Sequence, residues 1–358
     1  MVGEVTYSYT PEDWSQERFL ELGGFTVVFL NYNKAAFIEK SVASALNQDF
    51  ERLEMFFMDD ASTDGSGDMM EQIVRQYRGR HKVTVVRNTE NQHITGQWNI
   101  VSKLATGNWY GMFCADDVAY LNRVTIAAEV LKETPSLFGF CTNAVEVGNP
   151  PDGLSEVCVA GIDEELAVNG KVLAKDLLGR ASRTVGASAW YHRSIFEKQL
   201  PKGPLDDVII RWILQDKGFG CEDPIWRFVA TRCTVSYSMG SGISTEMMVS
   251  GSDVQDSKLW RKGVLARRKF FRLMNASYAG VSEFFKANGC SVELRRAIRL
   301  ALLKSDIIRH GTWARIFVDL PRVLIYPMLL GHFAKFLVRE FFGVTVSSLI
   351  CTKLRRRG

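Results

Sequence analysis

The chain of 358 residues is long enough for one large α/β domain with an appendage, or for two domains. Its 46% hydrophobic and 23% charged residues exclude a disordered chain, and no apolar stretch approaches the roughly 20 residues that cross a bilayer. The net charge of +4 is uneven, because residues 311–358 hold eight Lys/Arg against two acids and the remainder is slightly acidic.

Strand and helix patterns alternate along the first two thirds of the chain. Short apolar runs with β-branched or aromatic residues predict strands at 25–30, 53–58, 83–86, 109–114, 137–147, 185–191 and 229–236. Apolar residues at helical spacing predict helices at 36–46, 68–78, 95–105, 123–133 and 206–216, and residues 253–309 have a helical, basic pattern. The turn-rich residues 148–163 predict a loop. Alternation of this kind is typical of parallel βαβ units.

The seven cysteines are scattered without a C-x-x-C pair. This pattern favours reduced thiols over a disulfide framework or a zinc site. The N-terminal segment, MVGEVTYSYTPEDWSQERF, has acids where a signal peptide needs positive charge before an apolar core. We therefore expect a cytoplasmic protein.

Two pairs of aspartates follow predicted strands. Asp59-Asp60 ends the second strand, and Asp116-Asp117 follows the fourth. Each pair alone is also typical of a turn or a helix N-cap. However, the carboxyl ends of parallel strands meet at the edge where open α/β sheets bind ligands. Clustered carboxylates need a neutralising cation, and with few His or Cys residues nearby they suit magnesium or manganese together with substrate phosphates.

No glycine-rich phosphate loop in the sequence offers another nucleotide site. The motif G-x-x-x-x-G-K-[ST] does not occur, and D-G-S-G-D at 64–68 is not G-x-G-x-x-G. A P-loop NTPase and a dinucleotide-dependent dehydrogenase are therefore disfavoured. A nucleotide held by a metal through its phosphates remains.

The run FTVVFLNYNKAAFIEKSVASALNQDFERLEMFFMDDASTDGS resembles the opening of the family 2 glycosyltransferases. That family has a strand ending in Tyr-Asn, a helix with S-x-x-S-x-L-x-Q and a strand ending in D-D-x-S-x-D. This chain has Tyr32-Asn33, SVASALNQ at 41–48 and DDASTD at 59–64. Order and spacing match through Asp117, and a weaker match continues to about Ser244. The resemblance implies a GT-A fold, a Rossmann-like mostly parallel sheet flanked by helices.

The resemblance also implies a site for a nucleoside-diphosphate sugar, with UDP as the expected nucleotide. The residues implied in nucleotide binding are Asn31, Tyr32, Asn33, Asp60, Asn91 and Asp116. Tyr32 would stack on or flank the base, and Asp60 would accept a hydrogen bond from it. Asp116 and Asp117 would hold the Mn²⁺ or Mg²⁺ that bridges the diphosphate and neutralises the leaving group.

A third pair of acids, Asp206-Asp207, lies in PLDDVIIRWI, which resembles the acidic motif before a helix in this family. By resemblance, Asp207 would be the general base that deprotonates the acceptor hydroxyl, which gives inversion in a single displacement. The alternative for this pair is an ordinary helix N-terminus, where acids complement the helix dipole. Asp206 is expected to be a cap.

Three positions depart from the family pattern. Cys114 stands at the first acid of D-x-D-D, and Trp98 replaces the arginine of N-x-G-x-x-x-A-R-N. The segment YSMGSGIS at 237–244 has no histidine where many members have one. We expect His93 and His192 to be structural. Since Q-x-x-R-W of processive members does not occur, we expect transfer of a single sugar, of the type used in bacterial cell-surface polysaccharide synthesis.

Two other functions stay open. One is a catalytically inactive family member that acts as a membrane-bound assembly partner, which the substitution at Cys114 favours. The other is a sugar nucleotidyltransferase, although NYNKAA lacks the Gly/Arg/Lys-rich loop expected after its first strand.

The C-terminal segment 311–358 alternates large apolar and single basic residues and closes on Arg355-Arg356-Arg357. It fits either a helical pair packed on the catalytic domain or an interfacial helix on an anionic membrane, and we favour the second. The protein would then be peripheral on the inner face of the cell membrane, with a glycan or lipid-linked acceptor. Nucleic acid is not expected, because no recognised binding motif accompanies the charge. The predicted organisation is an N-terminal arm (1–22), a GT-A domain (23–250) and a helical basic region (251–358).

Overall fold

A computed structural model describes residues 3–147, 166–169, 186–202 and 221–238, and the single positions 209, 210, 213, 214, 217, 284 and 287. The strands of these residues are β1 (Glu4–Tyr9), β2 (Phe25–Asn31), β3 (Glu54–Asp59), β4 (Lys82–Arg87), β5 (Trp109–Cys114), β6 (Val118–Ala119), β7 (Gly139–Val147), β8 (Leu166–Val168), β9 (Trp190–His192) and β10 (Trp226–Ser238). The helices are α1 (Gln16–Glu21), α2 (Ile38–Leu46), α3 (Ser66–Gln76), α4 (His93–Leu104) and α5 (Arg123–Glu133). All these elements lie in one compact unit, formed by residues 1–241 with 279–288.

The strands form one mixed sheet in the order β1-β4-β3-β2-β5-β9-β7-β10-β6 among the described residues, with β8 on β10. Neighbours β4, β3, β2 and β5 run parallel. All seven residues of β2 are buried, as expected for a central strand covered by helices on both faces. The predicted α/β fold is thereby confirmed.

Helix α2 shows why the apolar spacing identified the helices. Ile38, Val42 and Ala45 recur at the spacing of one helix face, and each is fully buried. They join the same hydrophobic core as Val27 and Met55 of the neighbouring strands. Burial of this stripe fixes the helix against the sheet and sets the direction of the loops at both of its ends.

Several predicted features lie outside the described residues or were placed differently. The loop at 148–163, the pair Asp206-Asp207 and, apart from positions 284 and 287, the segment 251–358 lie outside them, so the domain bounds stay a prediction. Within 185–191 the predicted strand is wrong in its first half, because Gly186–Ser188 forms a 3₁₀ turn before β9 begins at Trp190. The Ser188 hydroxyl donates a hydrogen bond to the buried carbonyl of Thr142 at 2.7 Å.

The first 22 residues contribute structure that the sequence patterns did not predict. Strand β1 pairs antiparallel with β4 at the edge of the sheet, and α1 buries Phe19. No residue of β1 is fully buried, so it lacks the continuous apolar run that identified the central strands, although its sequence EVTYSY alternates polar and apolar residues. Among the described residues, no helix is both long enough and apolar enough to cross a membrane.

We expect His81 to make the free energy of unfolding depend on pH. The ring is buried beside the carbonyl of Gln48, 3.2 Å from Nε2, and burial lowers the pKa of His81 from 6.5 to about 4. The His81 ring is protonated below pH 6.5 in the unfolded chain and only below about pH 4 in the folded chain. The contribution of this group to the free energy of unfolding is therefore complete above pH 6.5 and is lost as the pH falls. The full loss is about 3 kcal/mol.

Urea unfolding at pH 7 and pH 4.5 measures this loss. His81→Gln keeps a side-chain donor for the Gln48 carbonyl but cannot titrate, so its free energy of unfolding should fall less between the two pH values than that of the wild type. Equal falls in both proteins would contradict the assignment to His81.

Candidate active site

The polar ends of β3 and β5 flank the end of β2 at one edge of the sheet. The backbone pairing continues past the strands, because Asp60 N donates to the carbonyl of Asn31 at 2.9 Å and Ala115 N donates to that of Leu30 at 3.0 Å. The two aspartate pairs that follow β3 and β5 therefore converge on the loop after β2, as the parallel pattern predicts.

Asp60 is the anchor of the loop that leads into α4. Its Oδ1 accepts hydrogen bonds from Asn88 Nδ2 (2.9 Å) and Gln92 N (2.7 Å), and its Oδ2 accepts from His93 N (3.0 Å). The side chain is only 2% exposed, and burial raises the pKa of the Asp60 carboxyl while the three donors oppose that rise. Asp60 therefore holds the 88–93 loop whether or not it also meets a nucleotide base.

The backbone of His93 has a structural role in the turn before α4. It has a positive φ of 58°, at the position where the family pattern carries glycine, and its N–H donates to Asn91 Oδ1 (2.9 Å) as well as to Asp60. The backbone of His93, together with the side chain of Asn91, shapes the turn into α4. The nucleotide contact predicted for Asn91 stays a prediction.

Asn31 and Tyr32 occupy opposite environments although they are adjacent. Asn31 is 1% exposed, and its Nδ2 donates to Asp59 Oδ1 (2.8 Å) and Ser66 Oγ (3.0 Å). Its side chain lies beneath the edge and joins β2 to the start of α3. Tyr32 is 47% exposed, so its ring is available to a base at the edge of the sheet.

The loop after β2 is fastened to the loop after β3. Asn33 has a φ of 55°, its N–H donates to Ser62 Oγ (3.0 Å), and its Oδ1 accepts from Thr63 N (2.8 Å). One residue past Lys34, Ala35 N donates to Asp64 Oδ2 (2.9 Å). The D-D-x-S-x-D motif thus fixes the backbone of residues 33–35.

The S-x-x-S-x-L-x-Q motif of α2 holds the other side of the edge. Ser41 Oγ donates to the carbonyl of Asp117 (2.6 Å), and Ser44 Oγ accepts from Ala119 N (3.1 Å). Gln48 Nε2 donates to the carbonyl of Tyr120 (2.9 Å). The motif therefore holds residues 117–120, which begin at the candidate metal ligand Asp117.

Cys114, Asp116 and Asp117 form the candidate metal centre. One ligand atom from each lies within 4.8 Å of the others, and the ammonium of Lys34 lies 2.7 Å from Asp116 Oδ2. Burial and the two carboxylates raise the pKa of the Cys114 thiol well above its usual value, so the thiol is neutral at neutral pH. The two carboxylates suit a hard divalent cation. The Lys34 ammonium shows that Asp116 already stabilises a positive charge.

Arg123, a residue that the sequence patterns did not single out, lies behind this centre. It is 1% exposed, its Nη2 donates to the carbonyl of Met112 (2.6 Å), and its Cζ lies 3.9 Å from the centroid of the Phe113 ring. Burial lowers the pKa of Arg123 to about 9, and the negative charge of Asp117 partly opposes this change. The guanidinium therefore remains charged at neutral pH and contributes a fixed positive potential beneath the carboxylates.

Residues 26–200 match the family model described as "Glycosyl transferase family 2". These residues are a family 2 glycosyltransferase domain. An uncharacterized glycosyltransferase of Nostoc sp. is 26% identical over 189 residues, which are 50% of this chain and 54% of that protein. An uncharacterized glycosyltransferase of Haemophilus influenzae is 28% identical over 94 residues, 26% of this chain and 28% of that protein. The chain thus spans about half or less of the curated relatives it matches.

Among solved structures, S. aureus TarS 1-349 in complex with UDP-GlcNAc is similar at a TM-score of 0.50 and 16% identity. The match covers 89% of this chain and 92% of that one. This likeness supports the GT-A fold of the family 2 domain.

In this family 2 domain, a residue of the hydrophobic core stands at the position of the arginine in the family pattern. Trp98 is fully buried, and its ring stacks on Phe196 (4.8 Å between centroids) and Tyr110 (6.4 Å). It therefore offers no cation to a phosphate. Positive charge at the edge comes instead from Lys34, which lies in the quoted motif but was given no role in the sequence analysis.

The chain that leads to Asp207 is attached to α4 of the family 2 domain. Asn99 exchanges two hydrogen bonds of 2.7 Å with the backbone N–H and carbonyl of Leu200, and Thr95 Oγ1 donates to the carbonyl of Pro201 (2.8 Å). Asp207 itself lies outside the described residues. Further along, buried helical residues at 209, 210, 213 and 214 follow the spacing of one helix face, in agreement with the helix predicted at 206–216.

Proposed function

We propose that this protein is a metal-dependent, inverting glycosyltransferase that moves one sugar from a nucleoside-diphosphate sugar to a glycan or lipid-linked acceptor. The observation that carries the proposal is the convergence of an exposed aromatic ring and a pair of carboxylates at one sheet edge, those of Tyr32 and of Asp116-Asp117. Such an edge suits a nucleotide whose base stacks on the ring and whose phosphates lie at a cation. UDP is the first nucleotide to test, because the solved TarS complex contains UDP-GlcNAc.

The chemical step would use Asp207 as general base. The acceptor hydroxyl oxygen forms a bond to the anomeric carbon while the bond from that carbon to the diphosphate oxygen breaks. The hydroxyl proton goes to Asp207, and the electron pair leaves with the diphosphate. A bound Mn²⁺ or Mg²⁺ would neutralise that leaving group. Asp207 is five positions after Lys202, a span of at most about 18 Å, and residues 200–201 are attached to α4; both support a role for Asp207 in this step.

The setting of the reaction is part of the proposal. The sequence lacks the Q-x-x-R-W motif of processive members, which supports transfer of a single sugar in cell-surface polysaccharide synthesis. The basic, apolar segment 311–358 supports a peripheral position on the inner face of the cell membrane. That position would bring a lipid-linked acceptor to the site.

A second function, an inactive member that serves in assembly, is favoured by one observation. Cys114 occupies the position of the first acid in the metal motif, and its thiol is neutral because burial raises its pKa. The centre therefore has one charge fewer than the family pattern. A binding experiment followed by a turnover experiment separates the two functions.

We expect thermal unfolding with UDP, GDP, CDP and dTDP to identify the donor. A nucleotide at about 100 times its dissociation constant adds about 2.7 kcal/mol to the free energy of unfolding, which is about 5 °C or more in Tm for a domain of this size. The shift should occur with one base in Mn²⁺ and disappear in EDTA. Asp117→Asn should lose it, whereas Asp49→Asn should keep it, because the Asp49 side chain is exposed and pairs with Arg80. No shift with any nucleotide would contradict the donor site.

A further inference from the structure

The ammonium of Lys34 lies at the carboxylate that the proposed cation needs. Its Nζ is 2.7 Å from Asp116 Oδ2, and the side chains of the two residues are only 19% and 16% exposed. An ion pair that is largely removed from solvent is stronger and less screened by salt than one on the surface. Lys34 therefore holds Asp116 in place and neutralises it.

The backbone on both sides of Lys34 is held by hydrogen bonds, so it cannot move together with the Lys34 side chain. Asn33 N and Ala35 N donate to Ser62 Oγ (3.0 Å) and Asp64 Oδ2 (2.9 Å) on either side of it. Any change in the position of the ammonium must therefore come from rotation of its four-carbon stem. A lysine side chain is well suited to this, because its charge is a compact group on a flexible chain.

A divalent cation and the Lys34 ammonium compete for the same carboxylate oxygen. Two positive charges within a few ångströms repel each other strongly where solvent is scarce. We propose that Lys34 is an exchangeable counter-cation: it occupies Asp116 while the centre is empty and moves to the donor diphosphate when a divalent cation binds. The diphosphate is the anion that arrives with the cation, and charged hydrogen bonds from lysine to phosphate are strong.

This exchange would supply a cationic phosphate contact from the loop after β2. Trp98, which stands at the arginine of the family pattern, lies in the buried aromatic core and supplies no charge. The first half of the inference, displacement of Lys34 from Asp116 by a divalent cation, concerns the metal alone. The second half, the contact of Lys34 with the diphosphate, rests on the proposed function.

Mn²⁺ binding followed by electron paramagnetic resonance, without nucleotide, tests the first half. Lys34→Met should bind Mn²⁺ about tenfold more tightly than the wild type, within the 5- to 150-fold range of typical couplings between sites. Lys34→Arg keeps the charge and should bind Mn²⁺ as the wild type does. Lys40→Met removes an exposed lysine of α2 and is the matched control for loss of one charge. Since Lys34 lies on a partly exposed loop, thermal unfolding should confirm that each variant folds.

Calorimetry with the nucleotide that gives the largest shift, at saturating Mn²⁺, tests the second half. Lys34→Met should bind it about tenfold more weakly, and Lys40→Met should be unchanged. An unchanged Mn²⁺ affinity in Lys34→Met, or the same gain in Lys34→Arg, would overturn the exchange even if nucleotide binding and transfer were normal. Failure of every nucleotide to bind the wild type would overturn the proposed function, while the metal titration would still decide the first half.

Discussion

Asp207→Asn is expected to lower kcat by about 10²- to 10⁴-fold, the usual contribution of a general base. Asparagine has nearly the same size and shape as aspartate but cannot accept the proton of the acceptor hydroxyl. The donor site is built from other residues, so the Mn²⁺-dependent thermal shift with nucleotide should be unchanged. Release of the nucleoside diphosphate in the presence of acceptor measures kcat, and the shift measures binding.

Asp206→Asn is the matched control for this prediction. It makes the same chemical change at the adjacent residue, which is expected to be a helix cap, so turnover should stay close to that of the wild type. Wild-type turnover by Asp207→Asn would contradict the general-base role. If only Asp206→Asn lost turnover, the general base would be Asp206 and not Asp207. Nucleotide binding without turnover in any of the three proteins would favour the inactive assembly partner.

The central strands were predictable because each is covered on both faces. β2 and β5 read as continuous apolar runs, and the predicted bounds of β5 and α5 agree with the structure residue for residue. A buried parallel strand has no polar face, so the run itself marks its length. β10 is longer than predicted, and shifts in its register against β7 occur between Val229 and Val235. Such irregularities interrupt the apolar pattern.

The edge of the sheet was less predictable for the same physical reason. β1 has one neighbour and no fully buried residue, so no continuous apolar run identifies it, and its signal is the shorter alternation of polar and apolar residues in EVTYSY. In the 185–191 segment the small residues Gly186 to Ser188 suit a strand or a turn equally well. The hydrogen bond from Ser188 to Thr142, 46 positions away in sequence, favours the turn. A single sequence does not show a partner at that distance.

The location of the candidate site was predictable, but its hydrogen bonds and ion pairs were not. The two aspartate pairs converge, as strand order requires, yet the sequence could not show that Asn31 is buried under the edge or that Ser41 clamps Asp117. Nor could it show the pairing of Lys34 with Asp116. These contacts depend on where loops from different βα units meet, and that is set by the sheet rather than by local spacing.

Asp60→Asn should lower the free energy of unfolding by about 1–3 kcal/mol, the usual contribution of a buried hydrogen bond to a charged group. Asp60 offers two oxygens to three N–H donors, those of Asn88, Gln92 and His93. The amide of asparagine offers one oxygen, so its NH₂ group must face either the His93 N–H or the other two donors. No rotation of the side chain satisfies all three, and the loop into α4 loses an anchor.

Urea unfolding at pH 7.5 measures this change, and Asp49→Asn is its control. The Asp49 side chain is 80% exposed and pairs with Arg80 at 3.2 Å, so the same substitution there should cost no more than about 0.5 kcal/mol. Asp60→Asn should also weaken or abolish the nucleotide-dependent shift, because the predicted base contact and the turn at His93 change together. If stability falls but nucleotide binding is unaffected, Asp60 is an anchor for the loop and not a contact to the base. If neither changes, the hydrogen bonds assigned to its two oxygens are wrong.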